Sequence, residues 1–144
     1  MNNVKELLAI KGDKVWTVTP GVMIYEALQL MAEKNIGAVI VTEKDRPVGI
    51  FSERDYCREV QLKGKSSTDT PVREIMTKEV CYVAPENKIK ECMALMTAKR
   101  VRHLPVMDNN QLVGIVTIGD VVKSIISDQE FALKELEKYI TGSY

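Results

Sequence analysis

The chain has 144 residues and a mass of 16.2 kDa, the size of one ordinary domain, which on folding buries roughly two thirds of the surface its unfolded chain exposes. Hydrophobic residues make up 45% and charged residues 28%, and twenty basic against twenty acidic side chains leave no net charge, a composition that points to a soluble globular chain. No basic excess meets nucleic-acid phosphate or a membrane surface, and the apolar runs fall short of the roughly 20 residues of a membrane span, so neither nucleic acid nor a bilayer is expected as a partner.

Lys5 and Glu6 break any apolar run at the start, and no small-residue cleavage pattern follows, which together imply a cytoplasmic protein. In the same region Val4, Leu7 and Leu8 share one face of an expected helix from Val4 to Lys11. A β-rich run from Val15 to Val18 stops at Pro20-Gly21. Ile24, Ala27, Leu28 and Met31 then recur at the spacing of a helix face, with methionine as core filler. Ala38 to Val41 and Val48 to Phe51 flank the polar turn Glu43-Lys44-Asp45 as a hairpin, and another helix follows. Lys63 to Pro71, rich in Gly, Ser, Thr and Asp, reads as a connector, and Val72 to Met76 as a short helical turn.

Beyond the connector the pattern starts again. A shift of 65 positions lays Pro20 on Pro85, Ile24 on Ile89, Glu26 on Glu91, Val48-Gly49-Ile50 on Val113-Gly114-Ile115 and Asp55 on Asp120, with no gap. The second helix face is Ile89, Cys92, Met93 and Met96, and the second hairpin joins Leu104 to Met107 with Val113 to Val116 across Asp108-Asn109-Asn110. The expected fold is α/β (α+β), two tandem β-α-β-β-α repeats too small to stand alone and packed as one pseudo-two-fold module. The organisation reads as a lead-in with a helix over 1–14, repeats over 15–62 and 77–126, a linker over 63–76 and an amphipathic C-terminal helix over 127–144 carrying Leu133, Leu136 and Ile140. Leu28, Met31, Met93 and Met96 would lie on faces one chain only partly covers, which predicts a homodimer.

Each hairpin ends in the same motif, Gly49-Ile50-Phe51-Ser52-Glu53-Arg54-Asp55 and Gly114-Ile115-Val116-Thr117-Ile118-Gly119-Asp120. A hydroxyl followed three residues later by an acid at a helix start is a capping box. It also puts free N–H groups, a hydroxyl and a carboxylate at one rim, the chemistry that receives a phosphate and a ribose diol. Lys99-Arg100-Val101-Arg102-His103 opens the second hairpin and can either complement the helix dipole or hold phosphate oxygens. The matching residues of the first copy are Gly37 and Ala38, so the copies differ. Cys57, Cys81 and Cys92 are odd in number and His103 is the only histidine, which excludes a disulfide framework and leaves no metal cluster.

The tandem unit, the paired glycine-to-aspartate motifs and Val101-Arg102-His103-Leu104-Pro105-Val106 resemble a CBS-domain pair, or Bateman module, over about Val15 to Ile126, and especially the small stand-alone bacterial ones. That resemblance implies a regulatory module, not an enzyme, that binds an adenosine ligand: AMP first, with ATP or NAD as alternatives, and S-adenosylmethionine and ADP elsewhere in the family. It implies one crevice formed by Thr117, Gly119 and Asp120 with Thr17, Val18 and Ala38, closed on the phosphate side by Arg102 and His103. A second would join Ser52, Arg54 and Asp55 to Tyr82 and Val83. The first is expected to bind the mononucleotide tightly and the second more loosely, or to take NAD. Two other classes compete: an enzyme with Cys81 or Cys57 as nucleophile and His103 as base, and a structural adaptor whose motifs are only helix caps.

Overall fold

A computed structural model describes residues 2–141. Helix α1, Val4–Lys11, starts at Asn3, whose side chain accepts the Glu6 N–H at 2.9 Å, and stops at Gly12, whose φ of 98° only glycine adopts freely. Strand β1, Thr17–Val18, helix α2, Ile24–Lys34, and the hairpin of β2, Ala38–Glu43, and β3, Arg46–Ser52, complete the first copy. A single turn, α3, Glu53–Asp55, then widens into a π-type turn over Tyr56–Gln61. A 3₁₀ turn at Val72–Glu74 leads to helix α4, Ile89–Lys99, strands β4, His103–Asp108, and β5, Gln111–Thr117, and helix α5, Ile118–Thr141. The mixed α/β architecture in two repeats is the one expected.

The repeat extends to backbone detail. Both hairpins turn through two residues of positive φ, Lys44-Asp45 and Asn109-Asn110, both carry a bulge at the matching position, after Val41 and after Val106, and both helices end on a left-handed residue, Asn35 and Arg100. The copies part where β1 should recur. In the first, Ile40 N–H donates to Trp16 and helps fix β1 parallel to β2. In the second, the matching residue is Pro105, which has no N–H, and the run Val80 to Val83, which the 65-residue shift lays on Val15 to Val18, shrinks to one parallel bridge between Val83 and Val106.

The leading turns are exchanged between the copies. Val4 and Leu7 of α1, which precedes the first copy, are buried in the core of the second with Val83, Ile89, Cys92, Met96, Leu104, Val106, Val116 and Val121. Val72 and Ile75, which precede the second copy, are buried in the core of the first with Ile24, Ala27, Met31, Val39, Val41, Phe51 and Val60. Backbone bonds repeat the exchange: Lys5 N–H donates to Pro85 and Val4 N–H to Asn87, while Arg73 N–H donates to Pro20 and Val72 N–H to Val22. Neither core is complete without the turn that opens the other copy.

Two expectations are corrected. The helix expected from residue 127 is the continuation of α5, because neither glycine nor proline occurs from Asp120 to Thr141; the last expected residues, 142–144, lie outside the described part. Met31 and Met96 are buried in the cores of their own copies, and Leu28 and Met93 pack against those cores, so they do not form the exposed face from which a dimer was expected. The large apolar side chains left exposed are instead concentrated on α5.

Candidate functional site: a basic cleft between the repeats

The capping box is real in both copies. Ser52 N–H and Ser52 Oγ donate to Asp55 Oδ2 at 2.9 and 3.0 Å, and Asp55 N–H donates back to Ser52 Oγ at 3.2 Å. Thr117 N–H donates to Asp120 Oδ2 at 2.9 Å and Asp120 N–H to Thr117 Oγ1 at 3.2 Å. Both bonds to Asp55 fall on Oδ2, which leaves Oδ1 as an acceptor for another partner. Capping and ligand binding therefore do not compete for the same oxygen.

The two rims face different surroundings. Ser52, Glu53, Arg54, Asp55 and Arg58 form one wall of a cleft of about 390 Å³. Its other wall is Lys99 to His103, where α4 ends, with Thr77, Glu79 and Cys81 from the segment that enters the second copy. Arg100 at φ 54° turns the chain so that Val101, Arg102 and His103 follow the rim. A left-handed non-glycine residue costs about 1 kcal/mol, and such residues gather at functional sites. Gly37 closes the floor, where a Cβ would lie 3.5 Å from Glu53 Oε1 and 3.9 Å from His103 Nε2.

The second rim is differently furnished. The Lys11 ammonium at the end of α1 donates to Asp120 Oδ2 at 2.6 Å and to the Ile115 carbonyl at 2.9 Å, so a cation of the chain itself is bound to the second aspartate. Nearby in sequence, Trp16 is flanked by two further cations, with Lys34 Nζ 4.4 Å and Lys14 Nζ 4.8 Å from the ring centroid.

The geometry regroups the residues singled out from sequence. Arg102 and His103 line the cleft of Ser52, Arg54 and Asp55, and His103 stands at the same time within electrostatic reach of Asp120 in its own copy. The expectation followed strand register, in which His103 does pair with Thr117. What register does not convey is that the strand's entry also borders the opposite copy. Tyr82 is exposed and Val83 belongs to the second core, so the cleft residue of that segment is Cys81. Thr17 is exposed, Val18 packs on the first core and Ala38 is buried in β2; none lines the cleft. Arg58 and Glu79 were not anticipated, although Arg58 stands one helical turn beyond Arg54.

The cleft is strongly cationic. Arg54, Arg58, Lys99, Arg100 and Arg102 oppose Glu53, Asp55 and Glu79, and Asp55 is already tied into its cap. His103 is held below the ordinary imidazole value, first by burial and then by Lys11 and Arg102, with Asp120 pulling weakly the other way. It is therefore neutral near pH 7 and can take up a proton beside an anion. Cys81 shares this cleft with His103, whereas Cys57 is exposed and Cys92 buried. The arrangement suits a ligand with a phosphate at the arginine end and a diol at Asp55 Oδ1.

Comparison with known proteins supplies the context. The sequence model of the family described as CBS domain matches residues 4–62 and 72–127. The chain is 38% identical over 138 residues to the mitochondrial CBS domain-containing protein CBSX3 of Arabidopsis thaliana, spanning 92% of this chain and 66% of that protein. It is 33% identical over 129 residues to the CBS domain-containing protein YhcV of Bacillus subtilis, spanning 90% and 89%. A protein with CBS domains from Burkholderia ambifaria superposes with a TM-score of 0.85 at 50% identity, covering 88% of this chain and 96% of that one. The CBS domain pair of the protein MJ0100, solved with 5′-methylthioadenosine and S-adenosyl-L-methionine, shares the fold at a TM-score of 0.77 and 23% identity, covering 88% and 97%.

Proposed function

The chain belongs to the CBS-domain family, and from that membership and the basic cleft between its repeats we propose that it is a ligand-sensing regulatory module that binds an adenosine nucleotide, AMP before ATP or NAD. The observation that carries this reading is the meeting of the Ser52–Asp55 cap with Arg102 and His103 in one cleft. The volume, about 390 Å³, suits a mononucleotide better than an extended dinucleotide. In this reading Asp55 Oδ1 accepts the ribose hydroxyls, and Arg54, Arg102 and His103 hold the phosphate. The base lies along Ile50 and Val101.

A ligand so placed touches both copies and binds them together, which is how occupancy would reach a partner protein. Binding alone suffices for that role, and the enzyme reading needs a substrate bond placed between Cys81 and His103 that the proposal does not require. Three free thiols suit the reducing cytoplasm. Among the described residues no helix is long and apolar enough to cross a membrane.

Calorimetric titration with AMP, ATP and NAD tests the reading. We expect one saturable site for AMP, weakened ten- to a hundredfold in Asp55→Asn, which removes one charged hydrogen-bonding partner of about 1.5–3 kcal/mol, and unchanged within twofold in Asp120→Asn. No binding of any of the three at millimolar concentration would leave the adaptor reading, and loss in Asp120→Asn alone would return the site to the other rim.

A further inference from the structure

The outer edges of the two hairpins are closed by different means. At β3 the closure is backbone: Ile50 N–H donates to the Thr77 carbonyl at 3.0 Å and Thr77 N–H donates back at 2.9 Å. The 65-residue shift lays Ile50 on Ile115 and Thr77 on Gly12, so the second copy would close its edge with Gly12. Gly12 N–H turns back instead to the Leu8 carbonyl at 2.8 Å, as the cap of α1. The Ile115 carbonyl receives the Lys11 ammonium at 2.9 Å, and the same ammonium donates to Asp120 Oδ2 at 2.6 Å. A flexible four-carbon side chain thus does the work of a backbone bridge, and it is anchored on the carboxylate that matches Asp55. Beyond it, Gly12 has a φ of 98° with open space where a Cβ would stand, a place where the chain can pivot.

We propose that Lys11 is an autoinhibitory latch, whose hold on Asp120 keeps closed a second nucleotide site that is the counterpart of the basic cleft. The ligand class, a nucleoside monophosphate, carries over from the proposed reading of the cleft. The same shift supplies the rest of the counterpart: Lys14 falls on Glu79, Trp16 on Cys81, Lys34 on Lys99 and Lys123 on Arg58. With Ile118 in place of Glu53 as well, the counterpart keeps Asp120 and loses two acids, which suits an anion. Trp16 adds a ring on which a base can stack, and both lysines already lie against it, Lys34 at 4.4 Å and Lys14 at 4.8 Å from the centroid. The Lys11 side chain crosses from α1 to β5, neutralises the carboxylate that a ribose diol would use and stands across its approach. Its ammonium and the Asp120 carboxylate are 26% and 21% exposed, so water reaches the pair and a ligand can compete for it. The anchor of α1 does not depend on the latch, since Val4 and Leu7 are buried in the second core.

Trp16 is the single tryptophan of the chain and does not line the cleft, so its fluorescence reports on the second rim alone. AMP is titrated into the full chain with that signal and calorimetric stoichiometry followed together. The parent should bind one AMP with Trp16 unchanged over the range that saturates the cleft. Lys11→Met should bind a second AMP in that range and quench Trp16, a response at about tenfold or more lower concentration than any in the parent. Lys11→Arg, which keeps the charge, should behave as the parent, and adding Asp120→Asn to Lys11→Met should remove the second event. Thermal unfolding of each variant checks that α1 stays docked, and Lys11→Gln repeats the test with a polar side chain. A parent whose Trp16 responds in the same range as Lys11→Met, or charge-removing variants that leave Trp16 indifferent to AMP, overturn the latch. A parent that binds no AMP beside a Lys11→Met that binds one, reported by Trp16, overturns the reading of the cleft and upholds the latch.

Discussion

His103 condenses the chemistry of the cleft into one titratable ring. Burial and the neighbouring Lys11 and Arg102 keep its folded value below the ordinary one near 6.5, so between the two values the unfolded chain binds the proton and the folded chain does not. The stability this contributes is present above about pH 6.5 and is lost as the pH falls through the lowered value. A bound phosphate reverses the balance, because an anion beside the ring favours its charged form. AMP binding should therefore take up a fraction of a proton at pH 7 and tighten several-fold between about pH 8 and about pH 6. Titration in two buffers of different ionisation enthalpy measures the uptake directly. His103→Gln, which keeps a polar side chain but cannot titrate here, should abolish it, and a pH-independent affinity in the parent would remove His103 from the phosphate side.

At the scale of elements the 65-residue shift made most of the fold legible: it places both hairpins, both helices and both caps. It was silent where a single atom decides. Pro105 lacks the hydrogen that Ile40 uses to help fix β1, and so the third strand of the second copy is lost to one bridge although Val80 to Val83 has strand composition. It was equally silent on which copy's rim meets which copy's basic run, because strand register connects neighbours within a copy and the site forms between copies. The glycines at the centres of β3 and β5 show how elements from outside each copy are seated. Met76 sits over Gly49 and Leu8 over Gly114, and a Cβ on Gly114 would come within 2.7 Å of Leu8 Cδ1. At Gly49 the new methyl would also meet the Thr77 carbonyl oxygen at 3.1 Å, and that backbone is fixed by its paired bonds to Ile50. Both alanine substitutions should destabilise by about 1–3 kcal/mol. Gly49→Ala should be the costlier, since a leucine tip rotates away more readily than a paired backbone. Urea midpoints of the two variants decide the order.

For the whole molecule, the exchange of leading turns makes one folding unit of two half-sized repeats. A chain of two merely adjacent repeats would lose only its first repeat on damage near residue 7, because the turn there would pack on the copy it precedes. Here Leu7 lies among Ile89, Leu104 and Val116. Leu7→Ala should cost about 2–5 kcal/mol, the range for a buried leucine cut back to alanine. The loss should appear first as faster amide exchange in α4, β4 and β5 under native conditions, with β2 and α2 losing protection only as far as global unfolding becomes accessible. Ile75→Ala is the mirror experiment, and its early exchange should fall on α2, β2 and β3, whose core Ile75 shares with Ile24, Met31 and Phe51. If Leu7→Ala instead opened the first copy selectively, α1 would be packing where its sequence position suggests and the exchanged cores would be wrong. If both variants raised exchange uniformly, the two cores would still be interlocked, but so tightly that no opening smaller than global unfolding is populated. In either of the interlocked cases a ligand held in the cleft would act on a molecule in which each core is completed by a segment from outside its own copy.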